Sequence, residues 1–369
     1  MAGKVSTRGG VSSLAMRRGL CLAVPGLLLA LGSAGAAQAN LTITPTFDST
    51  ITGSSDKTTI ETDINNAISF YNNNFINPIT VSIYFTTATP PGVSGNYLGA
   101  SQSSFYNTSY DNYKAALGSN ANNDTVAQTA YNHLSSGNQP TSDSVLTGMK
   151  VTAPDLRVLC FSGAVANQTA ANGNQYDGII YLNSTYLSGF GGGGNYSPTR
   201  VIQHEVDEVL GIGGAGSQLN NVFNNQDSTN SIGPMDLFRY AAAGKASFTT
   251  SGTASSYFSI DGGTTPVVSF NQNPSQPTTM GDFGDWGAST TIGSTTTTNN
   301  YVQNAFSDSS AGTPIALTSP EGIALQAIGY DTPVPEVSTL ALFGVALVGL
   351  VLLPRKRRPS APAKGLDPA

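Results

Sequence analysis

The stretch SPTRVIQHEVDEVLG, residues 197–211, combines helix boundary signals at both ends with four ionisable side chains within five consecutive positions. Ser197 is a favoured N-cap residue, and Pro198 would occupy the first helical position, where proline is well tolerated. Gly211 suits the left-handed residue that commonly follows a helix. The pattern therefore predicts a helix from Pro198 to Leu210.

His204, Glu205 and Glu208 have the spacing of a metal-binding helix. Residues four positions apart project from the same face of a helix, so His204 and Glu208 could bind one metal ion. Glu205 lies one step round the helix, where its carboxylate could take a proton from water that the metal activates. The arrangement is that of the H-E-x-x-H zinc helix, with glutamate in place of the second histidine. Three apolar side chains on the opposite side would pack against a sheet: Ile202, Val206 and Val209.

The alternative interpretation of this helix is a solvated acidic face, because acidic residues are common on exposed helices and H-E-x-x-E also occurs by chance. Three observations favour a metal site instead. The helix is capped at both ends, it follows a predicted strand and the glycine-rich loop 189–194, and it carries one of only two histidines in the chain.

The spacing of apolar residues predicts the elements around this helix. Residues 41–47 and 79–85 alternate apolar and polar side chains, as strands do, and residues 59–75 between them follow the pattern of an amphipathic helix. The other predicted elements are strands at 156–161 and 176–182, helices at 106–117, 125–134 and from Ser319, and a loop over the Ser/Thr-rich 289–300.

Several motifs follow one another in an order that resembles a known family. HEVDEVLG (204–211) is followed by MDLFRY (235–240), YFSIDGG (257–263), GDFGDW (281–286) and AIGYD (327–331). The series is similar to a group of metalloproteases that bear PEP-CTERM sorting tags and are related to the zincins. The resemblance implies an α+β, zincin-like fold with a twisted mixed sheet, a backing helix (here 59–75) and an active-site helix.

The body of the chain is expected to have two lobes. Beyond Gly211 the composition shifts to Gly, Asn, Ser and Thr, with short alternating segments. We therefore expect a zincin-like N-terminal lobe over 40–215, which contains the active-site helix, and an irregular, β-rich C-terminal lobe over 216–333.

The resemblance also implies the chemistry of the site. It implies a divalent metal, with zinc expected, bound by His204 and Glu208, and it makes Glu205 the catalytic base. In metzincins a third histidine lies three residues beyond the glycine that ends the helix, but here that position is Gly214. The third ligand must therefore come from elsewhere in the chain.

Asp236, in the segment Pro234-Met235-Asp236, is the preferred third ligand, and Asp227 is the next candidate. Two carboxylates on one divalent metal reduce its Lewis acidity, so bound water should be harder to ionise than in a three-histidine site. Oxygen-rich ligation also weakens the preference for zinc over manganese or calcium. Arg239 and Tyr240 are candidates to stabilise the oxyanion.

The N-terminal segment has the organisation of a secretory signal peptide. Its basic residues, Lys4, Arg8, Arg17 and Arg18, precede the apolar stretch 20–31, and the small-residue run ends in Ala37-Gln38-Ala39. An uncleaved membrane helix is disfavoured because the apolar stretch is short and a good cleavage site follows. We expect residues 1–39 to be removed after Ala39.

The C-terminal segment, 334–369, resembles the tripartite PEP-CTERM sorting signal. The motif VPEVST (334–339) precedes an apolar span at 340–353 and a basic end at 355–358, although Val337 stands where the family has a second proline. The resemblance implies an exosortase, a membrane-embedded sorting protease, as a partner. The alternative is a simple C-terminal membrane anchor, with the basic end on the cytoplasmic side.

The charge distribution excludes nucleic acid as a partner. The chain has 16 basic and 22 acidic residues. Nine of the basic residues but only one acidic residue, Asp367, lie in 1–39 and 354–369, which leaves 7 basic and 21 acidic residues in 40–353, a net charge of −14. A negatively charged surface repels nucleic acid and anionic lipid.

These observations predict an exported bacterial protein, secreted or held at the cell surface, and anchored to the membrane through its C-terminal span before processing. The expected activity is that of a metalloendopeptidase, a hydrolase that acts on polypeptides. The alternative is a catalytically inactive, zincin-like surface or matrix protein that functions in adhesion or in exopolysaccharide association.

Overall fold

The structure, a computed structural model, describes residues 40–93, 97–121, 124–141, 146–219, 231–251, 254–272, 282–292, 295–306, 309 and 312–333. Contacts divide the chain into two compact units, Met1–Pro333 and Val334–Ala369. The predicted signal peptide and sorting signal lie outside the described residues. Both predicted lobes fall within the first unit, and the boundary between them stays a prediction.

The described residues form a mixed α+β protein, which confirms the predicted class at that level. The helices are α1 (Ser49–Thr52), α2 (Lys57–Asn74), α3 (Tyr110–Asn120), α4 (Thr125–Asn132), α5 (Ala153–Val158), α6 (Pro198–Leu210), α7 (Gly213–Gly216) and α8 (Pro320–Ala327), with a 3₁₀-helix at Pro234–Phe238.

The strands are mostly short and belong to several small sheets. They are β1 (Thr42–Phe47), β2 (Thr80–Thr86), β3 (Gly99–Ser103), β4 (Phe105–Ser109), β5 (Gly148–Thr152), β6 (Gln168–Thr169), β7 (Gln175–Tyr176), β8 (Gly178–Leu182), β9 (Ser231–Ile232), β10 (Arg239–Ala242), β11 (Lys245–Ala246), β12 (Tyr257–Phe258), β13 (Val268–Ser269), β14 (Ser289–Ile292) and β15 (Thr295–Thr298).

One four-stranded mixed sheet supports the helix that carries the predicted site. Its order is β1-β2-β8-β3. Strands β1, β2 and β8 are parallel, and β3 runs antiparallel to β8 at the edge. Helix α2 contacts both β1 and α6, and α6 contacts β3 and β8. The remaining sheets have the orders β4-β5-β9, β11-β10-β12-β13, β6-β7 and β14-β15.

Helix α2 matches the amphipathic helix that the sequence predicts at 59–75. Its buried residues have the predicted spacing of one helical face: Ile60, Ile64, Ala67, Ile68 and Tyr71. Burial of these side chains against the sheet and α6 provides the hydrophobic free energy that fixes the helix in place.

Helix α6 lies unusually close to the sheet because two strand residues beneath it are glycines. A Cβ atom added at Gly178 of β8 would clash with the side chain of Val209. A Cβ added at Gly99 of β3 would lie 2.6 Å from Glu205 Oε1 and 2.8 Å from Val201 Cγ1. The two glycines therefore set the distance between the sheet and the face of α6 that bears Glu205.

Replacing Gly178 by alanine is expected to lower the free energy of unfolding by about 1–3 kcal/mol, the usual cost of overpacking a core. Chemical denaturation measures this change. Gly137 is the matched control because an added Cβ there lies 3.8 Å or more from its neighbours, so Gly137→Ala should change the stability by less than about 0.5 kcal/mol. Equal stability of the two variants would contradict the close packing of α6.

Three predictions of secondary structure are wrong in whole or in part. Residues 106–109, predicted as the start of a helix, belong to strand β4, and α3 begins at Tyr110. Residues 156–161, predicted as a strand, begin inside helix α5, which ends at Val158 and which Thr152 caps by accepting a hydrogen bond from the Asp155 amide. Residues 289–300, predicted as a loop, contain the antiparallel hairpin β14–β15.

Among the described residues, no helix is long and apolar enough to cross a membrane. The predicted apolar span at 340–353 lies outside them.

Candidate metal centre

Helix α6 has the predicted boundaries, and its ionisable residues are buried. Ser197 Oγ accepts a hydrogen bond from the Arg200 amide, and Gly211 follows the helix with a φ of +118°. All residues from Arg200 to Leu210 are buried, and Glu205 is only 1% exposed. The alternative of a solvated acidic face is therefore wrong, and the carboxylates need partners of their own.

Three side chains converge at one buried point: His204, Glu208 and Asp285. Each offers one ligand atom, and these atoms all lie within 4.8 Å of one another. His204 Nε2 is 3.9 Å from Glu208 Oε1 and 3.9 Å from Asp285 Oδ2. An imidazole nitrogen and two carboxylate oxygens at this separation form a donor set that fits a divalent cation.

The imidazole of His204 is oriented so that Nε2 faces the carboxylates. Its Nδ1 lies 3.1 Å from the Val302 carbonyl oxygen, which accepts the ring N–H. Burial lowers the pKa of His204, although the negative charge of Glu208 and the bond to Val302 oppose the shift. A neutral ring held in this way presents the lone pair of Nε2, the form in which histidine binds metals.

Both carboxylate oxygens of Glu208 accept hydrogen bonds that fix their direction. The Gly214 amide donates to Oε1 at 3.1 Å, and the Ser101 hydroxyl of β3 donates to Oε2 at 2.5 Å. Burial raises the pKa of Glu208, and the negative charges of Asp285 and Asp282 raise it further. A bound cation would relieve this mutual repulsion.

Gly214 stands where metzincins have their third histidine. Two carboxylates approach its backbone. A Cβ atom added there would clash with Asp282 Oδ2 and lie 2.5 Å from Glu208 Oε1. The glycine thus provides the space that Asp282 and Glu208 occupy, and no side chain fits at this position.

Glu205 is the buried carboxylate of the site that lacks a complete set of partners. Its Oε2 atom has no hydrogen-bond partner in the structure. Burial raises the pKa of Glu205 well above its usual range, and the charges of Glu208, Asp285 and Asp282 add to the effect. A buried carboxyl group with such a perturbed pKa beside potential metal ligands is typical of a catalytic acid or base.

Asp236, the predicted third ligand, lies outside this group. Its carboxylate accepts hydrogen bonds from Ser217 Oγ at 2.6 Å and from the amides of Gln218 and Gly233 at 2.9 and 2.8 Å. These contacts tie the chain after α7 to the start of the 3₁₀-helix, so Asp236 has a structural role here. Asp227, the other candidate, lies outside the described residues.

Arg239, a candidate for stabilising an oxyanion, instead supports the turn that carries Asp285. Its guanidinium donates to the Phe283 carbonyl at 2.6 Å and to the Asn271 carbonyl at 3.3 Å. It also lies 4.3 Å from the centre of the Phe270 ring. Burial lowers the pKa of Arg239 to about 10, which leaves it charged at neutral pH.

Comparisons of the chain with models of known protein families, with curated proteins and with solved structures found no match.

Proposed function

We propose that this protein is a metal-dependent endopeptidase with a zincin-like fold. The observation that carries the proposal is the convergence of His204, Glu208 and Asp285 next to the incompletely partnered carboxylate of Glu205. One helix, α6, supplies a histidine, a glutamate one position later and a second glutamate four positions after the histidine. This is the combination of ligands and base that metal-assisted hydrolysis requires.

The arrangement of α6 supports the zincin-like part of the proposal. The helix packs on a mixed sheet with one antiparallel edge strand, and α2 lies against both the helix and the sheet. This arrangement agrees with the sheet, backing helix and active-site helix that the resemblance to zincin-related proteases implies. The Ser101 hydroxyl of the edge strand donates a hydrogen bond to the carboxylate of Glu208.

His204, Glu208 and Asp285 would hold the metal, and the donor set accepts zinc as well as manganese or calcium. A bound divalent cation would polarise a peptide carbonyl and make water easier to ionise. Glu205 would take the proton from the attacking water and deliver it to the leaving amine. A general base at neutral pH needs a pKa above the usual range of a carboxyl group, and burial raises the pKa of Glu205 in that direction.

We further propose that the protein is exported and sorted to the cell surface. The support comes from the sequence: the signal-peptide organisation of 1–39 and the PEP-CTERM-like segment 334–369. An exosortase would then be the partner that processes the C-terminal segment, and the apolar span 340–353 would hold the protein in the membrane until that step. Intact mass of the protein from its native surface would test both cleavages.

The burial of the site favours one alternative, a surface or matrix protein in which the metal has a structural role. His204 is 5% exposed, Glu208 is 7% exposed and Asp285 is fully buried. A polypeptide substrate needs access to the metal, whereas a structural metal is usually enclosed by the protein. Such a protein would bind the metal and lack peptidase activity.

Metal content and cleavage together test the proposal. Purified protein is expected to contain about one zinc or other divalent ion per chain, because three buried ligands converge on one point. Removing the metal with a chelator should abolish cleavage of casein and lower the melting temperature, since binding to the folded state alone stabilises it.

The outcomes separate the two candidates. Restoration of cleavage by added zinc, manganese or calcium would identify the active metal. Bound metal without cleavage would support the structural alternative. Absence of metal from the protein and failure to take up any of the three ions would rule out both.

A further inference from the structure

The side-chain amide of Gln303 contacts the metal centre at His204 and Asp285. The residue is completely buried. Its Nε2 atom lies 2.9 Å from Asp285 Oδ1 and 3.2 Å from His204 Nε2, and its Oε1 atom has no hydrogen-bond partner. One end of the amide thus makes two contacts with the metal centre, while the other end is buried without a partner.

The charges around the amide explain this orientation. Because the Nδ1–H of His204 donates to Val302, the Nε2 atom of the ring is an acceptor. Asp285 Oδ1 is an acceptor as well, so only the NH₂ end of the amide can face the pair without repulsion. The carbonyl end is then left in a buried position that offers it no donor.

The reversed orientation would suit the metal-bound protein. With the amide turned by about 180° about its last bond, Oε1 would face the same imidazole lone pair and the same carboxylate. Three acceptors directed at one point repel each other unless a cation lies between them. Amide oxygens are established ligands of hard divalent cations.

We propose that Gln303 is a further ligand of the metal centre and that its amide reverses when the metal binds. In the orientation described above the NH₂ group bridges His204 and Asp285, and with a metal bound the carbonyl oxygen would be the ligand. This inference rests on the proposed metal centre and adds to it a fourth ligand, from a segment far from α6 in the chain.

The surroundings of Gln303 permit rotation of the amide in place but little other movement. The backbone N–H donates to Glu321 Oε1 at 3.1 Å, and the backbone carbonyl accepts from the Trp286 amide at 2.8 Å. Gly213 packs against the amide so closely that an added Cβ would clash with Nε2. The side chain is therefore held at the metal centre in both orientations.

The first test compares metal affinities. Competition with a chromogenic chelator measures zinc binding to the full-length protein and its variants. Gln303→Leu should weaken zinc binding by about 10- to 100-fold, the range seen when groups around a metal ligand are removed. Gln303→Glu keeps an oxygen at the site and should bind zinc at least as tightly as the wild type.

Gln326→Leu is the matched control, because Gln326 is also buried but its amide donates to Leu317 and Gly322. It should leave the zinc affinity unchanged.

The second test observes the amide itself. In the NMR spectrum, the side-chain NH₂ signals that disappear in Gln303→Leu belong to Gln303. On addition of zinc to the wild type, these signals should shift and their protection from solvent exchange should change, because the hydrogen bonds to His204 and Asp285 are lost. This readout does not depend on peptidase activity.

The outcomes distinguish this inference from the proposed function. If the wild type binds zinc but Gln303→Leu binds it within twofold of the wild type, or the NH₂ signals do not change, the inference is wrong and the three-ligand centre stands. If the wild type binds neither zinc, manganese nor calcium, the metal centre itself is wrong and the inference falls with it.

Discussion

Replacing Glu205 by glutamine is expected to lower kcat/KM for peptide cleavage by about 10²- to 10⁴-fold, the usual contribution of a general base. The amide has the shape of the carboxylate but cannot accept the proton of the attacking water. Since Glu205 is not one of the three converging ligands, the metal content should remain that of the wild type. Steady-state cleavage of a peptide and elemental analysis of the same preparation measure the two quantities.

Asp207→Asn is the control for this prediction. Asp207 lies on the same helix, is fully buried and accepts a hydrogen bond from the Tyr71 hydroxyl at 2.8 Å. Asparagine keeps the size of this side chain, and its amide oxygen can still accept the hydrogen bond from the Tyr71 hydroxyl. Asp207→Asn should retain both metal and cleavage. Chelator-sensitive cleavage that survives in Glu205→Gln would eliminate Glu205 as the base.

Helix α6 could be predicted to the residue because its signals are local. Ser197 and Gly211 bound the helix through contacts within one turn, and such contacts depend little on the rest of the fold. The apolar side chains Ile202, Val206 and Val209 are completely buried, as their spacing predicts. The same local information placed the imidazole of His204 next to the carboxylate of Glu208.

The wrong elements are those in which local information is ambiguous. Residues 156–161 form a run that is almost wholly apolar, and a fully buried helix cannot be distinguished from a buried strand by periodicity. Pro154 and the Thr152 cap were the signals for helix α5. The threonine-rich sequence of the hairpin β14–β15 is compatible with a strand as well as with a polar loop.

The third ligand could not be found from spacing, because it depends on how distant segments meet. Asp285 lies in the GDFGDW segment, whose motif resembles the family but has no spacing that indicates a metal ligand. Two features could have directed attention to it: the paired aspartates and the adjacent Trp286, the single tryptophan of the chain. In the structure, the indole of Trp286 donates to Glu321 at 3.0 Å, which anchors this segment beside α8.

Asp236 is a reasonable prediction from the sequence because it also lies in one of the motifs, MDLFRY, and it is also buried. The difference between the two aspartates is in their partners. Asp236 is surrounded by donors from Ser217, Gln218 and Gly233, which satisfy its charge. Asp285 accepts hydrogen bonds from Gln303 Nε2 and from the Asp282 amide, but it also faces His204 Nε2, and its charge, together with that of Asp282, raises the pKa of Glu208. The several carboxylates around Asp285 favour a cation there, whereas Asp236 is a single carboxylate among three donors.

Replacing Asp285 by asparagine is therefore expected to weaken metal binding by about 10²-fold or more and to reduce cleavage to background at limiting metal. The substitution keeps the size of the side chain but removes one of two ligand charges, and a ligand should contribute at least as much as the groups that orient it.

Asp236→Asn is the matched substitution, since it also changes a buried aspartate to its amide. It should lower the free energy of unfolding by about 1–3 kcal/mol through the mismatch with its three donors, while the metal affinity stays within about threefold of the wild type. Metal titration and chemical denaturation of both variants provide the comparison. Loss of metal from Asp236→Asn with retention by Asp285→Asn would show that the ligand set derived from the spatial arrangement is wrong.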